Sequence, residues 1–426
     1  MYTKILSIFL LYTFTSVHAL DNGLALTPPL GWMSWQRFRC ITDCVNYPDD
    51  CISDQLFRDT ADRMAEDGYL EAGYEYLIID DCWLANERDS DGRLQPNADR
   101  FPNGIKDLAD YIHSKGLKFG IYEDIGTNTC AGYPGIDGQY EIDANTFAEW
   151  GVDYIKVDGC YEDTAGMEDK YAQFGAYLNQ TERPIVYSCS FPAYKGLEAN
   201  YTAAVELCNL WRNYGDIQDS WDDVKNIANW FATNQGFLNK FSGPGHWNDP
   251  DMLIVGDYGL SYDESIAQMT IWTVMAAPLL MSVDLRKIEP EFRDILQNPD
   301  ALSINQDPLG IPGLLAWNNG NVRIWTKPIL PQVDDKDSYA FGIVNYANGG
   351  GPHVVEFTLD EFGLDNADGY TIKNVFEPSD PVTVSVTEPI QISVNPSGAA
   401  LLQVNPVAPS YASSLLRKMK YLPSIY

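Results

Sequence analysis

Between Leu30 and Ser282, short apolar runs recur eight times, separated by stretches with helical periodicity. The runs are Leu30–Trp35, Tyr76–Asp80, Phe119–Glu123, Tyr154–Asp158, Ile185–Cys189, Leu210–Asn213, His246–Met252 and Pro278–Met281. Helical patterns between them include Ser53–Asp67, Ile105–Ser114, Ala144–Trp150, Met167–Leu178, Trp221–Ala232 and Asp263–Ala276. Strands alternating with helices over about 250 residues predict a (β/α)8 TIM barrel. Polar side chains crowd at the C-terminal ends of nearly all the runs, and in a barrel those ends converge on one face, where sites are built. In an open doubly wound sheet they would not all meet, and no glycine-rich phosphate loop follows the first run.

After about Ile311 the helical periodicity fades. Strand-like pieces follow in close order, with turn signals such as Asn318-Asn319-Gly320-Asn321 and Asn348-Gly349-Gly350-Gly351 between them. They predict an antiparallel β-sandwich. The expected organisation is a signal peptide over 1–19, a catalytic barrel over 20–311, a sandwich over 312–405 and a flexible basic tail over 406–426 carrying Arg417, Lys418 and Lys420. Gly310-Ile311-Pro312-Gly313 reads as the linker between the two domains.

The first residues point to the secretory pathway. Lys4 precedes an apolar run, Ile5 to Tyr12, and Val17-His18-Ala19 has the form of a cleavage site. That run is too short for a comfortable bilayer span, and no later segment is long and apolar enough for one. All eight cysteines lie in the first half, an even number compatible with four disulfides, whose pairing spacing alone leaves open. Two sequons, at Asn179 and Asn200, fit the same compartment. A net charge of −32 repels phosphate backbones and argues against nucleic-acid partners. No CxxC pair, HExxH or EF-hand spacing points to a metal, and no cofactor is expected.

The chemistry concentrates in two segments. In Tyr154-Ile155-Lys156-Val157-Asp158 the period of two puts Tyr154, Lys156 and Asp158 on one face. The apolar face packs on helices, so Lys156 and Asp158 point into the barrel, where burying charge is costly unless the groups pair or serve a site. A nearby ammonium favours an ionised Asp158, which suits a nucleophile. In Trp211-Arg212-Asn213-Tyr214-Gly215-Asp216 a second carboxylate, Asp216, falls just past a strand end. Two carboxylates across one pocket are what glycoside hydrolysis uses, although a loop aspartate taken alone is more often a turn residue or a helix cap. Trp35, Tyr122, Tyr194 and Trp247 offer walls for a sugar ring, and Asp80, Asp81 and Asp251 can bind its hydroxyls. A metal site made of these acids is the competing reading. In the sandwich, Trp317 and Trp325 are the pair that could make an aromatic platform for glycans.

Seven segments, TPPLGWMSWQRFRC, IDDCW, FGIYEDIG, KVDGC, CNLWRNYGDIQDSW, GPGHWNDPDML and APLLMSVDLR, resemble glycoside hydrolase family 27 over nearly the whole chain. This family holds α-galactosidases and α-N-acetylgalactosaminidases. The resemblance implies a retaining mechanism with Asp158 as nucleophile and Asp216 as acid/base. It places Trp35, Asp80, Asp81, Tyr122, Cys130, Lys156, Cys160, Tyr194, Arg212 and Asp251 around the sugar. It further implies the pairings Cys40–Cys82, Cys44–Cys51, Cys130–Cys160 and Cys189–Cys208, a lysosomal or secreted location, and a homodimer. Gly215 and Phe191 stand where near relatives in the family have an acidic residue and a tryptophan.

One loop sets the expected sugar. In the family, the positions of Ser190 and Ala193 face the substituent on carbon 2, and α-galactosidases fill that space with larger residues, typically Glu and Leu. A serine hydroxyl and an alanine methyl leave room for an N-acetyl group. The expected activity is removal of terminal α-linked N-acetylgalactosamine from glycoconjugates, with secondary activity on α-galactosides, because a small pocket rejects a smaller ligand only weakly. The alternatives are a primary α-galactosidase and a catalytically silent glycan-binding protein on the same scaffold.

Overall fold

Eight parallel strands form one sheet in the order β7-β6-β5-β4-β3-β2-β1-β8: β1 (Leu30–Met33), β2 (Tyr76–Ile78), β3 (Lys118–Asp124), β4 (Tyr154–Asp158), β5 (Val186–Cys189), β6 (Leu210–Arg212), β7 (Trp247–Asp249) and β8 (Leu279–Met281). The ring closes just past β7, where Leu253 forms a parallel bridge to Met281. The Leu253 N–H donates to the Leu280 carbonyl at 2.8 Å, and the Ser282 N–H to the Leu253 carbonyl at 2.9 Å. The structure is a computed structural model and describes residues 22–378 and 380–409. The expected signal peptide and nearly all of the basic tail lie outside the described residues.

Each strand is short and apolar on the side that meets the helices, so the register decides which polar side chains share a layer. Tyr122 pairs with Lys156, Lys156 with Ser188, and Asp124 with Asp158. β1 can lie this close to β2 because residue 31 is glycine. A Cβ there would stand 2.5 Å from the Tyr76 carbonyl oxygen. β1 is shorter than the sequence pattern predicts. The chain turns at Ser34, whose hydroxyl accepts the Asp80 N–H at 3.0 Å, and Trp35 opens a short helix, Trp35–Phe38, instead of ending the strand.

Serine caps start three of the outer helices. Ser53 and Ser220 accept N–H groups of the first turn, and Ser261 forms a reciprocal capping box with Glu264. The helix begun by Ser261, Tyr262–Val274, is buried at all positions from Ser265 to Val274. A helix buried on all sides needs cover on all sides. The barrel supplies one side and the C-terminal domain the other.

That domain has eight antiparallel strands: β9 (Leu314–Asn318), β10 (Val322–Val333), β11 (Lys336–Asn345), β12 (His353–Phe357), β13 (Tyr370–Asn374), β14 (Val382–Val384), β15 (Ile390–Val394) and β16 (Ala399–Pro406). Six make a sheet in the order β14-β13-β16-β11-β10-β9, and β12 pairs with β15 in a second. Val322, Ile324, Phe341, Ile343, Leu402 and Val404 fill the space between the two sheets. The opposite face of the large sheet, including Trp325, Ala340, Val344 and Leu401, joins the barrel's own core. The Gly310–Gly313 segment is therefore no loose tether. The Gly313 N–H donates to the Val274 carbonyl at 2.8 Å, and a Cβ at that position would lie 2.5 Å from the Val274 side chain. The expected tryptophan platform does not form. Trp325 is buried and Trp317 exposed, because register sets Trp317 opposite Ile324 and Trp325 opposite Leu315, on the other face of the sheet.

Candidate active site

The C-terminal ends of β4, β5 and β6 open into a cavity of about 370 Å³ lined by Cys130, Asp158, Cys160, Ser190, Ala193, Tyr194, Arg212, Tyr214, Gly215 and Asp216. That volume lies in the range of small-molecule sites. Eight of these residues carry sequence expectations. Tyr214 and Gly215 complete the wall beside Asp216, and the Tyr214 ring is held by stacking on Trp230 at 5.0 Å.

Asp158 ends β4 with its carboxylate surrounded by donors. Tyr194 Oη donates at 2.8 Å, Tyr122 Oη at 3.1 Å and the Gly159 N–H at 3.0 Å. Cys130 Sγ lies 3.4 Å away, in the disulfide with Cys160. Residue 159 must be small, because a Cβ would come within 3.0 Å of the Tyr194 ring. Burial and the Asp158 charge push both phenols up, so they stay protonated as donors. Tyr122 and Tyr194 are thus hydrogen-bonding partners of Asp158, and of the two Tyr194 lines the cavity while Tyr122 is buried behind it.

Beneath lies a buried ionic floor. Lys156 Nζ reaches across the barrel to Asp80 Oδ2 at 2.8 Å and sits 5.2 Å from the centre of the Tyr122 ring. Burial would lower the ammonium's pKa, but the charges of Asp80, Asp158 and Asp216 outweigh it and hold the group protonated. Asp80 accepts the Asp81 N–H at 2.8 Å, and Asp81 accepts the Ala131 N–H at 2.9 Å and the Cys82 N–H at 2.6 Å. Further round, Arg212 pairs with Asp216 at 3.1 Å and with Asp251 at 3.2 Å. Burial alone would raise the Asp216 pKa, but Arg212 and Lys156, with a smaller part from Arg39, bring it below the ordinary carboxylate range. Asp216 is not a helix cap, since Ser220 caps the helix that follows.

Several expected contacts lie elsewhere. Trp247 is fully buried, its indole N–H donating to the Ala25 carbonyl at 2.7 Å, so it is no wall of the cavity. It shares a strand face with Asp249 but sits two residues nearer the N-terminal end of the barrel. Trp35 is absent from the lining and carries the Arg39 guanidinium 5.3 Å from its ring centre. Asp251 is buried, and its second oxygen accepts the Ile217 N–H at 2.8 Å, which clamps the loop that carries Asp216. Four non-glycine residues around the site, Arg39, Cys82, Tyr161 and Asp251, have positive φ, the kind of backbone strain that collects at functional sites. Both sequon asparagines are exposed.

Asp124, Tyr214 and Arg39 escaped the sequence reading. Asp124 lies two residues after Tyr122 on the same strand face, a signal that was available. Burial, together with the charge of Asp158, pushes its carboxyl up to about 8, and it accepts N–H groups from Gly126 at 2.8 Å and Cys160 at 2.9 Å. Among the described residues, Asp124, Cys130 and Cys160 form the one cluster with metal-ligand spacing, but its two sulfurs are bonded to each other and offer no thiolate. The other disulfides are Cys40–Cys82, Cys44–Cys51 and Cys189–Cys208.

The buried acids make stability depend on pH. Burial is the leading cause that raises Asp124 and Asp257 to about 8, and Asp81, Asp143 and Asp249 to about 6. A carboxyl raised in the folded state stabilises it fully below the unfolded pKa, and that contribution is lost as pH rises through the folded value. The window here runs from about pH 4 to 8. Asp62 and Asp284, whose pKa values are lowered, act at the acid edge of that window or below it. The melting temperature at pH 5 is expected to exceed that at pH 8 by on the order of 10 °C. A calorimetric profile that is flat or rises from pH 5 to pH 8 would contradict this.

The family model described as alpha galactosidase A matches residues 27–307. Alpha-N-acetylgalactosaminidase from Gallus gallus is 49% identical over 395 residues, which is 91% of this chain and 96% of that protein. Alpha-galactosidase A from Homo sapiens is 49% identical over 348 residues, 81% of this chain and 80% of that protein. Among solved structures, alpha-galactosidase I from Mortierella vinacea superposes with a TM-score of 0.79 at 29% identity, over 92% of this chain and 100% of that one. Among the described residues no helix is long and apolar enough to cross a membrane. The chain belongs to the alpha galactosidase A family, a family of glycoside hydrolases.

Proposed function

We propose that this protein is a retaining exo-glycosidase that removes terminal α-linked N-acetylgalactosamine from glycoconjugates and cleaves α-galactosides as a secondary activity. The observation that carries the reading is that Asp158 and Asp216 open into the same cavity as Ser190 and Ala193. Ser190 begins a short helix, Phe191–Lys195, yet its hydroxyl makes no capping hydrogen bond and is free to meet the N-acetyl group. Ala193 offers only a methyl beside it.

In the first step the Asp158 carboxylate attacks the anomeric carbon. The bond to the leaving oxygen breaks, and that oxygen takes the proton of Asp216. In the second step Asp216, now ionised, removes a proton from water. The water oxygen bonds to the anomeric carbon and releases Asp158, and the two inversions restore the α configuration. Tyr122, Tyr194 and the Gly159 N–H hold Asp158 in place, and Lys156 favours its charged form. Because Arg212 and Lys156 favour ionised Asp216, the proton it must carry is present only in an acidic medium. kcat/KM should therefore fall as pH rises, which suits a lysosome reached through the secretory pathway. The four disulfides and two exposed sequons support that route. The homodimer rests on the family resemblance, and light scattering of the purified protein tests it.

The test of the activity compares kcat/KM near pH 4.5 for the nitrophenyl α-glycosides of N-acetylgalactosamine and galactose. The acetylated sugar is expected to be preferred. A preference for galactose would make the protein a primary α-galactosidase and refute the part given to Ser190 and Ala193. Turnover of neither would leave a glycan-binding protein.

A further inference from the structure

In a chain with a net charge of −32, a cation near the catalytic pair that is held only by neutral groups calls for a purpose. Arg39 is such a cation. Its guanidinium lies over the Trp35 ring and donates to the Gln36 backbone carbonyl at 3.3 Å, to the Gln36 side-chain amide, and to Gln218 Oε1 at 2.9 Å. None of these hydrogen-bonding partners is charged. Arg37, two residues earlier, pairs with Asp50. The backbone of Arg39 has φ 47°, a strained conformation for a residue with a side chain.

Arg39 is also tied through Gln218 to the loop that carries Asp216. Gln218, which accepts its hydrogen bond, donates its own amide to the Asp216 carbonyl at 3.3 Å. The guanidinium is near enough to act on the Asp216 charge. Asp216 delivers its proton to the leaving oxygen, so whatever is attached to that oxygen leaves the cavity past Asp216. The wall at that point is Tyr214 and Gly215, neither of which carries charge, and a side chain at Gly215 would meet nothing within 4 Å.

We propose that Arg39 reads the leaving group and favours glycoconjugates carrying a carboxylate or sulfate next to the scissile bond. Trp35 and Gln218 hold the guanidinium in place before substrate arrives, which reduces the ordering cost of the contact. The proposal rests on the glycosidase reading above and names the substrate class of the same site.

The test uses two aryl α-N-acetylgalactosaminides, 3-carboxy-4-nitrophenyl and 3-carbamoyl-4-nitrophenyl, nearly equal in shape and differing in charge. At low ionic strength the wild-type ratio of kcat/KM, charged over neutral, is expected to be about three to five, the size of a partly exposed ion pair. Added salt should bring it toward one. Arg39→Gln should abolish the preference and Arg39→Lys should keep most of it. A merely structural Arg39 would change both substrates alike and leave the ratio untouched. Glycopeptides with aspartate or asparagine beside the glycosylated threonine, and disaccharides with or without a 6-sulfate, then tell the sources of the anion apart. An Arg39-dependent preference in either series supports the proposal and identifies the source.

A wild-type ratio near one at low salt, or a preference that survives in Arg39→Gln, overturns it. The salt dependence of the wild type keeps the proposal falsifiable even where a variant fails to fold. Hydrolysis of neither matched glycoside, nor of the galactoside, would sink the glycosidase reading itself, a different outcome from equal hydrolysis of both.

Discussion

Asp158→Asn is expected to bind the sugar and fail to turn it over. The substitution is nearly isosteric, so Tyr122, Tyr194 and the Gly159 N–H still surround the side chain, and the fold keeps its Lys156–Asp80 pair. What is lost is the nucleophile. A neutral amide does not form the glycosyl-enzyme, and the loss in kcat is expected to be at least about 10⁴-fold. Calorimetric titration with an iminosugar of galactose configuration should return affinity within about tenfold of wild type, since one charge contact goes while the floor and walls remain. A variant that keeps wild-type kcat would end the assignment of Asp158 as nucleophile. One that loses binding and kcat together would point instead to a structural part for its carboxylate.

Ser190→Glu combined with Ala193→Leu is expected to turn the sugar preference over. Ser190 and Ala193 leave the space next to Asp158 open, and the larger side chains would fill it. An N-acetyl group would then meet atoms where it now meets open space, and the packed core behind the loop leaves the larger side chains nowhere else to go. The ratio of kcat/KM for the N-acetylgalactosaminide over the galactoside should fall by about 10²-fold or more, since a pocket tells one small group from another at roughly that level. The galactoside should keep kcat/KM within about tenfold of wild type, because the Asp158 and Asp216 positions are unchanged. Equal loss on both substrates would show that the loop shapes the cavity as a whole and does not select at carbon 2.

Much of this site was legible along the chain because strands impose a period of two. Tyr154, Lys156 and Asp158 had to share a face, and a barrel had to turn that face inward. The repeated run-and-helix pattern led to eight strands, all present, with ends displaced by up to three residues, as at Ser34, where the chain turns, and after Asp249. Trp247 and Trp325 show the limit of the same reasoning. Trp247 fell in an expected strand and Trp325 in the expected sandwich, but whether each reached the site or the core depended on depth along the barrel axis and on which face met a neighbouring domain.

By itself, the sequence determined the alternation of elements, the inward faces of the strands, and the family. Only the tertiary structure decided the partners: Lys156 with Asp80, 76 residues apart, Arg212 with Asp251, and the Asp251 carboxylate on the Ile217 N–H. The reason is physical. Periodicity is a local property of the backbone and can be read from neighbours. The charge state of a buried carboxylate depends on which distant groups barrel closure brings within a few ångströms. That closure gave Asp124, at the end of β3, and Asp216, just past β6, pKa values shifted in opposite directions.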